Sequence, residues 1–560
     1  MKILLVAVNA KFIHTNPAVR SLRAYVATDG EETEIVEYTV NQLPEKVLAD
    51  LYRRAPDVIA FSCYIWNRKF VFGLLKELPK VLPRAEIWLG GPEVSYDAEQ
   101  VLREMPWVRG IMVGEGEETF RELCRHWRSG KPDTREIAGC VLSTAEGIRH
   151  TGERAPVDMD ALPFIYRDMT ELKDRIPYYE SSRGCPFRCT YCLSSIEKTV
   201  RFRSLTKVLP ELQFFLEAKV PQVKFIDRTF NCDHKRCLTI WRYLKENDNG
   251  ITNFHFEISA DLLNDGELEL LCSMRPGLVQ LEIGVQTTHP ETVTAIRRSM
   301  DLEKLKKVVE RLRKAENMHI HLDLIAGLPE EDLETFRKSF DEVFALKPHD
   351  LQLGFLKVLK GSPMESLAAG YDLKYQADPP YEVLGTRWLG YGELLELKGV
   401  EEMLELYHNS GQYSHLLPVL IRESESAYAF FRDLAEWYRE HGYEVCQPSR
   451  MTRFEILLDF AASRHPEKRE LYAELLTYDC WLRERCKKRP DFCPDLTPYR
   501  DRIRNVDARP EDHTEVFRYA VWEAGERDPR KLAEPAMIVF MYDRRSPLDN
   551  NAAWRVITDE

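Results

Sequence analysis

The chain has 560 residues, 44% hydrophobic and 30% charged, which is too long for one compact core and predicts two or three domains. Its formal net charge of −13 argues against a general nucleic-acid binder and disfavours a tRNA-like substrate, although one local basic groove is compatible with it. No apolar run reaches membrane-spanning length, and "MKILLVAVNA" lacks the basic region and cleavage site of a signal peptide. This N-terminus therefore predicts a buried strand, and the cytoplasm is the expected compartment.

Strand and helix patterns alternate over residues 1–130. "KILLVAV" and "DVIAFSCYI" are continuous apolar runs, as expected of strands buried on both faces, and "NPAVRSLRAYVA" predicts a helix capped by Asn16 with Pro17 in its first turn. This alternation predicts a parallel sheet in an open, doubly wound, Rossmann-like domain. Such a sheet binds ligands at the carboxyl ends of its strands, here at Ser62, Gly90–Glu93 and Gly114–Glu117.

The rest of the chain divides by pattern into three further parts. The pattern of residues 131–175 predicts a linker with a small hairpin and an extended connector. A second alternating series over 176–364 has six strand–helix units and predicts a partial (β/α)6 barrel, with its chemistry at the carboxyl ends of the strands. Residues 365–560 predict a mostly helical domain, with one strand at "PAMIVFMYDRR".

Three cysteines, Cys185, Cys189 and Cys192, follow directly on the first predicted barrel strand in "RGCPFRCTYC". Structural zinc normally takes four ligands, so three thiolates leave one position open. A four-iron cluster held by three thiolates leaves one iron that a small molecule can chelate, and Gly184 lets the backbone bend tightly beside it. The alternatives are an accidental group of buried cysteines and a zinc loop with a distant fourth ligand.

This CxxxCxxC loop, with the aromatic Tyr191 before its last cysteine, resembles that of the radical S-adenosylmethionine (SAM) enzymes over residues 178 to about 360. The resemblance implies a [4Fe-4S] cluster on the three cysteines, with its unique iron chelated by the amino and carboxylate groups of SAM. It also implies an external electron donor, such as flavodoxin or ferredoxin. One electron would then cleave SAM and release a 5′-deoxyadenosyl radical.

The SAM-binding residues that the resemblance implies match less strictly. "LSSIEKTVRFRS" replaces the family's Gly-Gly-Glu segment, so Ser194 and Ser195 are the expected substitutes. Arg203 is the candidate partner of the SAM carboxylate. Glu282 is expected at the end of the fourth strand and is the candidate partner of the SAM ribose or amino group. The remaining candidates are Tyr191, Asp227, Glu257 and Gln286. For each of the polar strand-end residues the alternative is an ordinary salt bridge or helix cap.

The first domain resembles the cobalamin-binding domain of class B radical SAM enzymes. Ser62-Cys63-Tyr64 stands for the family's SxL motif and Gly90-Gly91 follow at close to the usual spacing, but the DxHxxG loop is absent and Pro17 occupies its histidine position. The resemblance therefore implies cobalamin without a protein axial ligand, although related enzymes keep the domain without the vitamin. His14 faces the corrin or caps a loop, and the loop role is favoured. The predicted cobalamin-binding residues are Asn9, His14, Ser62, Tyr64, Gly90, Gly91, Pro92, Glu93, Gly114, Glu115 and Gly116.

Other cysteines form no second motif. The 13 cysteines are scattered and predict no disulfide scaffold. Cys480 and Cys486 lie six positions apart on a predicted helix, which does not align their faces, so they and Cys493 predict no auxiliary cluster. Cys232 and Cys237 follow the second barrel strand and are expected to be ordinary thiols, or else to line the active site.

The resemblance implies methyl transfer to an unactivated carbon. In that chemistry one SAM methylates cob(I)alamin, a second yields the radical, and the substrate radical takes the methyl group. A small-molecule or peptide substrate is favoured over nucleic acid. The alternatives are radical rearrangement, cyclisation or dehydrogenation, and a non-catalytic cobalamin or redox sensor that releases no 5′-deoxyadenosine.

Overall fold

The computed structural model describes residues 1–166, 168–506, 508–525 and 527–557. The chain divides into two compact units, one of residues 1–271, 296–299 and 356–387 and the other of residues 272–295, 300–355 and 388–560. Within the described ranges, no helix is long and apolar enough to cross a membrane.

The first unit begins with the alternation predicted from the sequence. Strands β1–β5 are Ile3–Asn9, Glu34–Thr39, Val58–Ser62, Glu86–Gly90 and Val108–Met112. Helices α1–α6 are Pro17–Ala27, Pro44–Arg54, Arg68–Val81, Pro92–Ser95, Ala98–Glu104 and Glu117–Ser129. The five strands are parallel in the order β2-β1-β3-β4-β5. The predicted hairpin is present as β6 (Cys140–Thr144) and β7 (Gly147–His150), and it extends this sheet beyond β5 in antiparallel fashion.

Strand β1 shows why the sheet is buried on both sides. All seven of its residues are buried, so its apolar run carries no polar alternation. Leu4, Val6 and Val8 pack into the core on one face. Ile3, Leu5 and Ala7 pack into the core on the other. Successive side chains of a strand point to opposite faces, so a continuous apolar run supplies both cores.

Strand follows helix through the middle of the chain as well. Strands β8–β15 are Tyr178–Tyr179, Ser182–Arg183, Arg201–Phe202, Gln222–Phe225, Asn253–Ile258, Val279–Gln286, His319–Ala326 and Asp350–Phe355. Helices α7–α12 are Leu205–Glu217, His234–Glu246, Asp265–Cys272, Pro290–Ala295, Leu302–Lys314 and Leu333–Phe344. In the first unit β8, β11 and β12 are parallel neighbours, and in the second unit so are β13, β14 and β15.

The C-terminal part is helical with more sheet than expected. Helices α13–α20 are Pro363–Leu367, Tyr391–Met403, Leu416–Arg422, Ala427–Glu440, Tyr443–Cys446, Arg450–Arg464, Arg469–Arg483 and Arg500–Arg504. Strands β16–β20 are Lys374–Tyr375, Val383–Gly385, His513–Tyr519, Lys531–Arg545 and Ala552–Ile557. The last three form an antiparallel sheet in chain order. The sequence analysis found only the middle one, because only β19 has a long apolar run.

Candidate functional site

A cavity of about 520 Å³ lies in the first unit at the carboxyl edge of the first sheet. The strand order reverses between β1 and β3, and an open parallel sheet with this order binds its ligand at that switch point. Eight of the predicted cobalamin-binding residues line the cavity: Ser62, Tyr64, Gly90, Gly91, Pro92, Gly114, Glu115 and Gly116.

Gly91 lets two loops cross closely at this edge. Its φ of 108° and ψ of 167° lie in a region that only glycine adopts readily. A Cβ at this position would overlap the carbonyl oxygen of Cys63, whose own N–H donates to the Gly90 carbonyl at 2.7 Å. Beside them the Ser62 hydroxyl accepts a hydrogen bond from Asn16 Nδ2 at 3.2 Å. The glycine backbone therefore forms a closely packed wall of the cavity from which no side chain projects.

Three predicted cobalamin-binding residues, Asn9, His14 and Glu93, are not among the lining residues. Asn9 Nδ2 donates to the His14 carbonyl at 3.1 Å, and His14 Nδ1 lies 2.7 Å from the Tyr178 hydroxyl. Burial, Lys11 and Lys224 lower the pKa of His14, so its ring is neutral at pH 7. Glu93 accepts from the Tyr381 hydroxyl at 2.7 Å. All three residues hold protein segments together.

The opposite wall of the cavity belongs to the chain just before the cysteine loop. Tyr178, Tyr179, Glu180 and Arg183 all line it. The Arg183 guanidinium pairs with Glu117 at 2.6 Å, with Glu180 at 3.0 Å and with Glu115 at 3.4 Å. The carboxylates of the "GEGEE" segment therefore bind the start of the barrel sequence, and Arg183 was not singled out from the sequence.

The cysteine loop connects two short strands, β9 and β10, which pair with each other in antiparallel fashion. Gly184 has a φ of 94°, and a Cβ there would overlap the Thr199 carbonyl oxygen across the loop. Within the loop Cys189 is buried, and Cys185 and Cys192 are half-buried. Glycine is therefore required where the chain enters the loop.

Two further segments of the first unit support this loop. The Thr190 N–H donates to the Ile296 carbonyl at 2.9 Å, and its own carbonyl accepts from the Met364 N–H at 2.8 Å. The Arg298 guanidinium lies 3.9 Å from Cys189 Sγ and 3.3 Å from the Tyr191 hydroxyl. Burial raises the pKa of the Cys189 thiol, and Arg298 opposes that rise.

The donor set fits an iron–sulfur cluster in its chemistry. Three thiols on one loop with a guanidinium beside one of them suit an anionic, thiolate-ligated cluster. Within the described ranges no three His, Cys, Asp or Glu side chains form a preformed metal-binding group. Arg298 lies far along the sequence from the cysteines, and no motif pointed to it.

Asp227 and Arg203, both predicted to bind SAM, are engaged with protein groups. The Asp227 carboxylate is buried and accepts from the Ser181 N–H at 3.0 Å and from the Ser182 hydroxyl at 2.5 Å, so it orders the backbone before the cysteine loop. The Arg203 guanidinium pairs with Glu211 and donates to the Met159 and Leu162 carbonyls, each at 2.7 Å. Most N–H groups of Arg203 are therefore already engaged within the protein, although Arg203 also lines the cavity.

The other predicted SAM contacts lie on separate elements. Ser195 donates from its hydroxyl to the Cys192 carbonyl at 2.6 Å, within a short turn that also contains Ser194. Glu257 is half-buried on β12. Glu282 lies in the middle of β13 and not at its end, because the strand continues to Gln286, which has a φ of 72°.

Of the two cysteines after β11, Cys237 is buried and donates from its thiol to Glu267 at 2.9 Å, which satisfies it. Cys232 is half-buried, and burial together with Asp227 and Cys185 raises its pKa to about 11. Cys232 is therefore protonated at pH 7, as an ordinary thiol would be.

The chain matches three family models. They are "B12 binding domain" over residues 3–124, "Radical SAM superfamily" over residues 179–343 and "Protein of unknown function (DUF4080)" over residues 369–536. The first two confirm the predicted fold class of a Rossmann-like cobalamin-binding-type domain followed by a radical SAM barrel domain.

Two curated methyltransferases are similar in sequence to this chain. The 2-(S-pantetheinyl)-carbapenam-3-carboxylate methyltransferase of Streptantibioticus cattleyicolor is 25% identical over 68% of this chain and 61% of its own length. The cobalamin-dependent radical SAM methyltransferase TokK of Streptomyces tokunonensis is 27% identical over 56% of this chain and 48% of its own length. The chain thus spans less than two thirds of either relative.

A solved structure of OxsB, a cobalamin-dependent S-adenosylmethionine radical enzyme with aqua-cobalamin and SAM bound, superposes with a TM-score of 0.60 at 15% identity. The match covers 85% of this chain and 78% of OxsB. This likeness concerns the fold. The two matched models show that the chain carries a B12-binding domain followed by a radical SAM domain.

Proposed function

We propose that the protein is a cobalamin-dependent radical SAM methyltransferase acting on an unactivated carbon of a small-molecule or peptide substrate. The observation that carries the proposal is the cavity of the first unit, because one cavity is bounded both by the Gly90–Gly91 backbone and by the strand that leads into the cysteine loop. A corrin held by the first wall would lie beside the residues that precede the cluster. The methyltransferase names of the two relatives favour methyl transfer over the other radical reactions.

The residues that would hold each cofactor follow from the geometry. Cys185, Cys189 and Cys192 would ligate the cluster, and Gly91 would allow cobalamin to approach the backbone. When bound, these groups supply one-electron cleavage of SAM and a methyl group carried on cobalt, which is chemistry that no side chain of the chain provides.

The chain's own residues position those groups. Asp227 holds the Ser181–Ser182 backbone at the entrance of the cysteine loop, and Arg183 joins that entrance to Glu117 of the first sheet's loop. Arg298 places a positive charge beside Cys189, which stabilises a thiolate there. The protein thus contributes orientation and charge, while the cofactors carry the reaction.

The proposal includes a source of electrons and a compartment. Cleavage of SAM consumes one electron, so an external donor such as flavodoxin or ferredoxin is required. All 13 cysteines are free, which a reducing compartment such as the cytoplasm preserves.

The first experiment compares wild-type protein with Cys185→Ala after anaerobic reconstitution, loading with hydroxocobalamin and desalting. Wild-type protein should contain about four irons per chain and retain corrin absorption, and the variant should lose iron and SAM cleavage but keep the corrin. Cys272→Ala, which removes a half-buried cysteine outside the loop, serves as the matched control. Unchanged SAM cleavage in Cys185→Ala would overturn the cluster assignment.

Corrin retention and product mass distinguish methyl transfer from the alternative functions. Iron without retained corrin would mean that methyl transfer through cobalamin has to be abandoned. A product heavier than its substrate by one methylene unit indicates methylation, and a product without that gain indicates rearrangement, cyclisation or dehydrogenation. Both cofactors bound without release of 5′-deoxyadenosine would indicate a sensor.

A further inference from the structure

Three cysteines in the second unit take no part in the proposed function. Cys480 lies in the last turn of α19, which ends at Arg483, so Cys486 is not on the helix and the expectation that their faces diverge does not apply. The Glu484 N–H donates back to the Cys480 carbonyl at 2.8 Å, and the chain then turns. This turn brings Cys486 Sγ to 3.6 Å from Cys480 Sγ, which is contact without a covalent bond.

Cys493 returns to the same helix face. Its thiol lies near the Thr477 hydroxyl and is close enough to the Cys480 and Cys486 thiols to interact with them electrostatically. Thr477 precedes Cys480 by three positions on α19, and residues at that spacing are neighbours on one face of a helix. All three thiols therefore gather at the C-terminal end of α19, although their spacing in the sequence matches no common metal motif.

The loop that carries Cys486 and Cys493 is held from both sides. The Arg489 guanidinium pairs at 3.0 Å with Glu515, which is fully buried on β18. The Tyr542 hydroxyl of β19 donates to the carbonyls of Trp481 at 2.8 Å and Glu484 at 3.1 Å. The convergence of the thiols is therefore part of the packed structure of this unit.

Cations lie near two of the three thiols, Arg489 near Cys493 and Arg450 near Cys486. Metal binds the thiolate form of cysteine, which a nearby cation stabilises.

We propose that Cys480, Cys486 and Cys493 form a second metal site, in which three thiolates bind a soft metal as a zinc ion or as the iron of a second iron–sulfur cluster. Sulfur ligands select these metals over hard cations such as Mg²⁺ or Ca²⁺. Like the loop of Cys185, this trio is not a preformed group of three ligands among the described residues, so metal binding would close the loop further. The site is independent of the reaction proposed above.

The test removes the first cluster and asks whether metal remains. Protein with Cys185→Ala, Cys189→Ala and Cys192→Ala is loaded anaerobically with Zn²⁺ alone or with iron and sulfide, then desalted and analysed for metal. We expect about one zinc, or about four irons, per chain. Adding Cys480→Ser, Cys486→Ser and Cys493→Ser should remove that metal, whereas adding Cys272→Ser and Cys446→Ser should not. No bound metal before the serine substitutions, or equal metal after them, would overturn the proposal.

A second measurement covers variants that fail to fold. Alkylation of the protein in which only the first three cysteines are replaced is followed by peptide mass spectrometry, before and after a chelator is added. Bound metal should protect the half-buried Cys486 and Cys493 until the chelator is added, while the exposed Cys446 reacts in both states. Equal labelling of Cys486 and Cys493 with and without chelator, or a Cys480–Cys486 disulfide in protein prepared anaerobically with metal present, would refute the metal site.

Discussion

Gly91→Ala is predicted to weaken corrin binding, because it displaces the Gly90–Gly91 backbone that forms one wall of the cavity. The new Cβ would overlap the Cys63 carbonyl oxygen and lie 3.1 Å from the Cys63 nitrogen, whereas ordinary contact begins at 3.4 Å. Both obstructing atoms are backbone, which cannot rotate away. The φ of 108° adds a conformational cost on the order of 1–3 kcal/mol for any residue other than glycine. The loop that contains Gly90 and Gly91 must therefore shift.

The assay is equilibrium dialysis against hydroxocobalamin, read by corrin absorption. A displaced wall that loses about 1.4 kcal/mol of binding free energy raises the dissociation constant about tenfold. Gly30→Ala is the matched control, because Gly30 also has a positive φ, of 78°, but a Cβ there meets nothing within 4 Å. The control should lose about 1–2 kcal/mol of stability, because of its left-handed backbone, and bind corrin as the wild-type protein does.

Comparable binding by Gly91→Ala and Gly30→Ala would refute the reasoning. It would mean either that corrin does not contact this edge of the sheet or that the loop moves without cost. The thermal midpoint of each variant separates a local effect from general unfolding, since a folded Gly91→Ala with weakened binding is the expected combination.

Two predictions concern the second unit. Burial raises the pKa of Glu331 from 4.5 to about 7, outweighing hydrogen bonds from Thr287 at 2.6 Å and Ser339 at 3.0 Å, so the folded protein holds a proton that the unfolded chain releases. The free energy of unfolding should therefore fall by about 3 kcal/mol as the pH rises from 4.5 through 7. Glu331→Gln should remove this share of the pH dependence of the thermal midpoint. An equally steep pH dependence in Glu331→Gln would contradict the assignment. Asn409 accepts from the Leu351 N–H and donates to the Leu351 carbonyl, each at 3.0 Å, and thereby caps strand β15. Asn409→Ala should lower the free energy of unfolding by about 1–3 kcal/mol and speed amide hydrogen exchange in β15. Asn409→Asp should have an intermediate effect. Unchanged amide exchange would show that these two hydrogen bonds are dispensable.

The C-terminal unit shows where local patterns stop being informative. The apolar run of β19 was recognised, but β18 and β20 were not, because a strand in an antiparallel sheet can be stabilised by its neighbours without a strong pattern of its own. The end of α19 at Arg483 likewise changed the relation between Cys480 and Cys486 from opposed faces to direct contact.

The sequence by itself determined the alternation of strand and helix, the cysteine loop and the glycines at the edge of the first sheet. Each depends on the chemistry of residues close in the chain: apolar periodicity, ligand spacing or backbone freedom. Only the tertiary structure decided that Arg203 binds Glu211, that Arg183 joins the two walls of the cavity and that Arg298 lies beside Cys189. Arg183 and Arg298 are far from their partners in the sequence, and Arg203 is only eight positions from Glu211, but in all three cases the packing of strands and loops decides the pairing.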